Sequence, residues 1–344
     1  MKTYIYAFIV ALVISYILTP FVERLAWKTG AVDIPKDERR VHTKPIPRIG
    51  GLAIYIAFIV TVLITMPVTD NIKGVIIGGT LITILGVLDD IYNLPAKIKL
   101  LGQVAAAGIL VYFGIKVEWV TNPLGDMVYL GKLSIPITIF WIVGVTNTLN
   151  FIDGLDGLAA GIASIASFTL MLVALNEGLG PVVILTAALA GGAVGFLPFN
   201  FNPAKIFMGD TGAMFLGYVL AAISVMGAIK SATAIALAVP ILALGLPIFD
   251  TAFAILRRAI NGYPVMKADK DHLHHRLLAI GLTQRQTVLI MYSISAALGM
   301  SAIALSEMGL LQAGFILIVL ITLLVIAGRQ WGITSLRQSK QLDI

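Results

Sequence analysis

Asp89 and Asp90 stand side by side at the end of an apolar stretch. Asn147, Asn150, Asp153 and Asp156 recur every three residues within NTLNFIDGLDGL, and residues 200–210 read NFNPAKIFMGD. Three of the four histidines fall within four residues, in Asp269-Lys270-Asp271-His272-Leu273-His274-His275-Arg276. Carboxylates with carboxamides, cations and glycine turns suit metal-assisted phosphoryl transfer. A divalent ion held by one or two carboxylates and by substrate phosphates neutralises charge building on the phosphoryl oxygens. No GxxxxGK[ST] or Gly-x-Ser-x-Gly segment occurs, which sets aside a P-loop motor and a serine-elbow hydrolase. With no cysteine, disulfides, Cys-rich zinc sites and thiol catalysis are excluded.

The elements that carry these residues are apolar. The chain has 344 residues, 58% hydrophobic and 12% charged, with a mean hydropathy of +0.96. A water-facing surface needs roughly twice that charge, which excludes a soluble domain, a nucleic-acid-binding module and a disordered chain. A span needs about 20 mostly apolar residues. Eleven stretches qualify: 3–22, 49–68, 74–90, 98–115, 135–152, 157–175, 180–198, 211–229, 232–256, 287–306 and 309–327. The expectation is an all-α, polytopic membrane protein forming a single domain over 1–344. The first stretch is read as a span and not a cleaved signal, because Pro20-Phe21-Val22-Glu23 is no small-residue cleavage site.

Basic residues orient the spans. With the N-terminus outside and the C-terminus cytoplasmic, 19 of the 24 Lys and Arg fall on inner segments, and the outer face is neutral. The polar clusters then share one side, in the inner loops 23–48, 89–99, 150–157, 199–210 and 257–286. Outer connections are short except 116–134, where Asn122-Pro123-Leu124-Gly125 reads as the turn of a small hairpin.

Each cluster has a plainer reading. Asp89-Asp90 could mark a membrane boundary, yet two carboxylates at a helix C-terminus oppose the macrodipole by roughly 0.3–1 kcal/mol each and call for a cation. In the Asn147 to Asp156 series, neighbours share a helical face, and Gly154 and Gly157 let the chain turn both carboxylates toward one site. Asp210 is placed to cap the next helix as well as to bind a metal. Asp250 reads as structural, pairing with Arg257 or Arg258. The histidines and Arg276 fit phosphate contacts better than a zinc site. Arg39, Arg40, His42, Lys44 and Arg48, stiffened by Pro45 and Pro47, serve either as an inner-face anchor or as contacts to substrate phosphate.

NTLNFIDGLDGL, FNPAKIFMGDTG, Asp89-Asp90 and HLHHRL together resemble the polyprenyl-phosphate N-acetylhexosamine-1-phosphate transferases over nearly the whole chain. The family's reaction is attack of a polyprenyl-phosphate oxygen on the β-phosphorus of a UDP-N-acetylhexosamine, releasing UMP, with Mg²⁺ (Mn²⁺ as a substitute). The resemblance implies Asp210 as the main metal ligand with Asn150 nearby. It places Asp153 and Asp156 at the nucleotide and its polar network, and Asn200 and Phe207 at the uridine. His274 and His275, with Arg276 and His272 beside them, would meet the donor; Lys44 and Asn147 complete the substrate-binding set. Asp89 is the candidate base, supported by Asp90. Leu273 interrupts the histidine run, which favours UDP-GlcNAc as donor over the muramoyl-pentapeptide nucleotide that related transferases use. The resemblance also implies the plasma membrane, a cytoplasm-facing site, no nucleic-acid partner and a homodimer. The rival class, a transporter or flippase, places its coupling carboxylates near the bilayer midplane and often shows inverted repeats. Here the acids, apart from Asp250, sit at span ends or in loops, and no repeat is present.

Overall fold

The computed structural model describes residues 2–34, 45–121, 127–230, 238–262 and 272–307, with isolated residues at 315, 318, 319 and 322. Helix α1 (Thr3–Thr29) leads through β1 (Val32–Asp33) and β2 (Ile46–Pro47) to α2 (Gly51–Thr65), α3 (Asp70–Tyr92) and α4 (Ala96–Tyr112). A hairpin of β3 (Trp119–Thr121) and β4 (Met127–Tyr129) precedes α5 (Ser134–Ile152), α6 (Leu158–Asn176), α7 (Gly180–Asn200) and α8 (Gly209–Lys230). Then come α9 (Ala238–Ala243), α10 (Gly245–Ile260), α11 (Leu273–Ala279) and α12 (Gln284–Glu307).

Seven helices among the described residues are long and apolar enough to cross a bilayer: α1, α3, α5 with the turn before it, α6, α7, α8 and α12. This is an all-α, multi-pass membrane protein, and the count falls short of eleven for local reasons. Residues 49–68 give a helix of 15 residues and 98–115 one of 17. The stretch 232–256 is not one helix, because α9 ends at Ala243 and α10 restarts at Gly245. Pro247 has no N–H to offer the Ala243 carbonyl, so the ladder breaks there although hydrophobicity continues. The stretch 309–327, apart from residues 315, 318, 319 and 322, and the turn 122–125 lie outside the described residues.

Packing follows membrane logic. Helix α1 buries Ala7, Ala11, Ser15, Thr19 and Ala26 and turns Ile9, Ile17 and Phe21 outward. Small residues inside let backbones approach, and bulky ones face lipid. Helix α8 is the hub, with Ala213 through Met226 nearly all buried among α2, α3, α5, α6 and α7. It crosses α2 so closely that a Cβ on Gly51 would lie 2.1 Å from the Gly212 backbone, so no larger residue fits. The expected hairpin is present as an antiparallel pair, Trp119 opposite Tyr129. It joins the ends of α4 and α5 remote from Lys99 and Asn150.

Candidate functional site

At the C-terminus of α3 the adjacent aspartates point to different work. Asp90 is buried and spans to the start of α8, where the N–H groups of Asp210 and Thr211 donate to its carboxylate at 3.0 Å each and Thr211 Oγ1 donates at 2.7 Å. It is a cap supplied from another helix, placed where the macrodipole favours negative charge. Arg48 Nη2 lies 3.6 Å from it. Arg48 is delivered by the β1–β2 pair and by a stitch to the 207–208 segment, in which Phe207 N–H donates to the Pro47 carbonyl at 2.7 Å and Gly51 N–H to the Met208 carbonyl at 2.9 Å. Gly209, at φ 70°, packs against both the Arg48 carbonyl and the Asp90 carboxylate.

Asp89 instead faces α4. Its Oδ1 accepts from Leu94 N–H at 2.7 Å, and its Oδ2 accepts from Lys99 Nζ at 3.1 Å. The same ammonium donates to Asp210 Oδ2 at 2.9 Å, and Asn150 lies within hydrogen-bonding reach of Asp210. Lys99 thus bridges the two carboxylates the sequence put forward as base and metal ligand. It was missed because, between Pro95 and an apolar run, it reads as one more inner-face cation.

The loop after α5 holds the second pair. Gly157, at φ 80°, makes the turn into α6 that an L side chain resists. Asn200 brackets that turn: its Oδ1 accepts from Gly157 N–H at 3.1 Å and its Nδ2 donates to the Ile206 carbonyl at 3.0 Å. Asp156 Oδ2 accepts from Asn202 Nδ2 at 2.9 Å and Ala204 N–H at 3.1 Å, which ties the 153–157 loop to the 200–206 segment. Asp153 reaches the same cleft. Burial, then the Asp210 and Asp90 carboxylates, hold its carboxyl well above the usual carboxylate range.

In the histidine segment Asp250 has an unexpected partner. Its Oδ2 lies 2.9 Å from His272 Nδ1, and its Oδ1 accepts from Leu273 N–H at 2.9 Å, so it anchors the start of α11. His274 is buried, stacked on His272 and 4.2 Å from His275, and its Nδ1 has no hydrogen-bond partner among the described residues. Burial, with His275 and His272 adding to it and Asp250 opposing, pushes its pKa down to about 4, so it is neutral near pH 7. Arg276 stacks over the Phe253 ring at 5.9 Å.

These segments meet at one cleft of about 790 Å³. Its walls are Glu23 and Trp27 of α1, Asp33 and Arg48, the 153–156 loop, residues 202–210, His275 and Gln284. Of the residues put forward from the sequence, Asp153, Asp156, Asn200, Phe207, Asp210 and His275 line it, whereas Asp89, Asp90, Asn147, Asn150, His272, His274 and Arg276 do not. Asn147 turns away, its Nδ2 donating to Gln103 Oε1 at 2.7 Å and to the Val143 carbonyl at 2.8 Å. Lys44, with Arg39, Arg40 and His42, lies outside the described residues, as do Asp269 to Asp271. The α1 wall was missed because Glu23 and Trp27 read only as the end of a span.

Among the described residues five carboxylates line the cleft, those of Glu23, Asp33, Asp153, Asp156 and Asp210, with the cations Arg48 and Lys205. Carboxylate and carboxamide oxygens of this kind suit a hard divalent cation. No three His, Asp or Glu side chains among the described residues converge on one point. Asp210 with Asn150 therefore offers a partial shell, of the kind Mg²⁺ fills with substrate phosphate oxygens and water.

The helical bundle and this cleft define a multi-pass membrane protein with a polar, carboxylate-bearing site. The chain belongs to glycosyl transferase family 4, whose model matches residues 72–228. It is 43% identical over 331 residues, 96% of this chain and 92% of the relative, to the probable undecaprenyl-phosphate N-acetylglucosaminyl 1-phosphate transferase of Bacillus subtilis (strain 168). It is 35% identical over 313 residues, 82% of this chain and 77% of the relative, to the decaprenyl-phosphate N-acetylglucosaminephosphotransferase of Mycolicibacterium smegmatis. Similarity to the phospho-N-acetylmuramoyl-pentapeptide-transferase of Halalkalibacterium halodurans is lower, 31% over 243 residues, 65% of this chain and 74% of that protein.

Proposed function

We propose that this protein transfers N-acetylglucosamine 1-phosphate from UDP-GlcNAc to undecaprenyl phosphate, forming the polyprenyl-diphosphate sugar and UMP. One observation carries the reading: segments around residues 89–99, 150–156, 200–210 and 275, far apart in sequence, meet at a single carboxylate-rich cleft and the junction behind it. The names and identities of the Bacillus and Mycolicibacterium relatives favour a GlcNAc donor over the pentapeptide one.

In this reading an oxygen of the acceptor phosphate attacks the donor's β-phosphorus in a single displacement, and UMP leaves. A phosphate monoester is largely ionised near pH 7, its second pKa being ~6, so Asp89 has little proton abstraction to perform. Its carboxylate and Lys99 orient the acceptor. Lys99 keeps Asp89 and Asp210 close despite their like charge and exchanges a carboxylate for phosphate when substrate arrives. Mg²⁺ held by Asp210 and Asn150 would neutralise charge on the transferring phosphoryl group. The 153–157 and 200–206 loops hold the nucleotide, with Phe207 at its base. We place the cleft at the cytoplasmic face of the plasma membrane, in a multi-pass chain with the N-terminus outside that works as a homodimer; the distribution of Lys and Arg supports the orientation.

The test is UMP release by detergent-purified protein supplied with undecaprenyl phosphate, Mg²⁺ and a panel of UDP-sugars. Release with UDP-GlcNAc that chelator abolishes is expected. Turnover of the muramoyl-pentapeptide donor alone would overturn the donor assignment, and substrate movement across vesicles without UMP would make it a transporter.

A further inference from the structure

We propose that Tyr292, on α12 and outside the segment matched by the family model, is a positioning residue for the nucleotide-binding loop. Its hydroxyl donates to the Gly157 carbonyl, which also accepts the helical bond from Gly161 N–H at 3.0 Å. The Gly157 N–H is taken by Asn200 Oδ1 at 3.1 Å. Both polar groups of this one left-handed residue are thus claimed by side chains of α7 and α12. The Tyr292 ring packs against α6, where a Cβ at Gly161 would sit 2.0 Å from it. A glycine at 161 is what admits the ring to reach position 157.

Helix α12 also holds the loop's other working residue. Gln284 Oε1 accepts from Asn202 Nδ2 at 2.7 Å, and Arg285 Nε donates to the Asn202 carbonyl at 2.9 Å. The same Asn202 amide donates to Asp156 Oδ2 at 2.9 Å. Helix α12 therefore grips the 153–157 loop directly at Gly157 and, through Asn202, at Asp156. Since α12 follows α11 by four residues, the histidine segment and the loop are set relative to each other by one rigid element. A loop whose aspartates would otherwise swing in the cleft is held in the conformation the donor meets.

The inference rests on the sugar-nucleotide reading above, and its test separates the two. In purified protein, Tyr292→Phe keeps the ring and removes the hydroxyl. The expected result is a KM for UDP-GlcNAc raised about five- to tenfold, the factor of one lost hydrogen bond, and UDP affinity by calorimetry weakened in proportion. The KM for undecaprenyl phosphate and kcat stay within about twofold, since the acceptor side keeps its contacts. A merely structural tyrosine would instead lower the unfolding midpoint and kcat, moving both substrates alike, and that outcome overturns the proposal, as does an unchanged donor KM. If the Phe variant does not accumulate folded, Arg285→Ala cuts the other arm; a donor-selective rise in KM of about twofold upholds the clamp and no rise overturns it. Wild-type protein that releases no UMP from any UDP-sugar would bring down the functional reading and this inference together.

Discussion

The junction of α3, α4 and α8 and the paired loops at 153–157 and 200–206 both carry aspartates into the same site, but they hold them by different means. At the junction the partners are ions and a helix end: Lys99 bridges Asp89 and Asp210, and Arg48 stands by Asp90 over the α8 N-terminus. In the loops Asp156 is held by neutral donors, the Asn202 amide and Ala204 N–H, while Asn200 accepts from Gly157 N–H in the turn between the two aspartates and α6. Ion pairs that can exchange partners suit charge moving during phosphoryl transfer, whereas fixed amides suit recognition of a ligand that keeps its charge. Under the proposed function, this division gives chemistry to the junction and binding to the loops.

Substitutions should respect that division, and the largest effects should come from the junction. Asp210→Asn removes the negative charge facing Lys99 and should lower kcat by about 10³-fold or more, with the donor KM little changed. A rise in KM alone, in steady-state UMP release, would move Asp210 to the binding side. The neighbouring aspartates should then separate. Asp89→Asn retains an acceptor for Leu94 N–H and should leave the unfolding midpoint near wild type while transfer falls about 10²-fold. Asp90→Ala leaves the Asp210 and Thr211 N–H groups unsatisfied and should lower stability by about 1–3 kcal/mol. Equal stability of the two variants in detergent unfolding would erase the distinction drawn from their contacts. On the loop side, Asp156→Ala should raise the donor KM about tenfold and spare the acceptor KM.

The sequence exposes these regions unequally. Carboxylates and carboxamides inside apolar stretches are conspicuous because burying them unpaired costs several kcal/mol, so Asp89, Asp90, Asp153, Asp156 and Asp210 could be singled out without coordinates. Lys99, Tyr292 and Gln103 could not, because a cation at a span end and a tyrosine or glutamine inside one have ordinary explanations; only the long-range fold gives them partners. Asn147 shows the converse. Three-residue spacing puts it on the face of Asn150, yet Gln103 on α4 claims its amide. The break between α9 and α10 had its signals in Pro240 and Pro247, overridden by a hydropathy count that does not register hydrogen-bond ladders.

His274 offers the mildest test near neutral pH, because it sits at the edge of the loop region and is buried uncharged. An imidazole near 6.5 in the unfolded chain and at about 4 in the folded one binds its proton first when unfolded. Its contribution is therefore intact above pH 6.5 and is lost as the pH falls toward 4, by up to about 3 kcal/mol. Asp153, with its raised carboxyl, works in the opposite sense and favours the folded form as pH drops, so the whole-protein curve mixes the two. The difference between wild type and His274→Phe isolates the histidine, since phenylalanine fills similar space with nothing to titrate. Unfolding midpoints of the two should run parallel above pH 7 and diverge below 6.5, with the variant losing less. Parallel curves down to pH 4.5 would mean that His274 accepts a proton in place, and would make it a cation available to a phosphate at acidic pH.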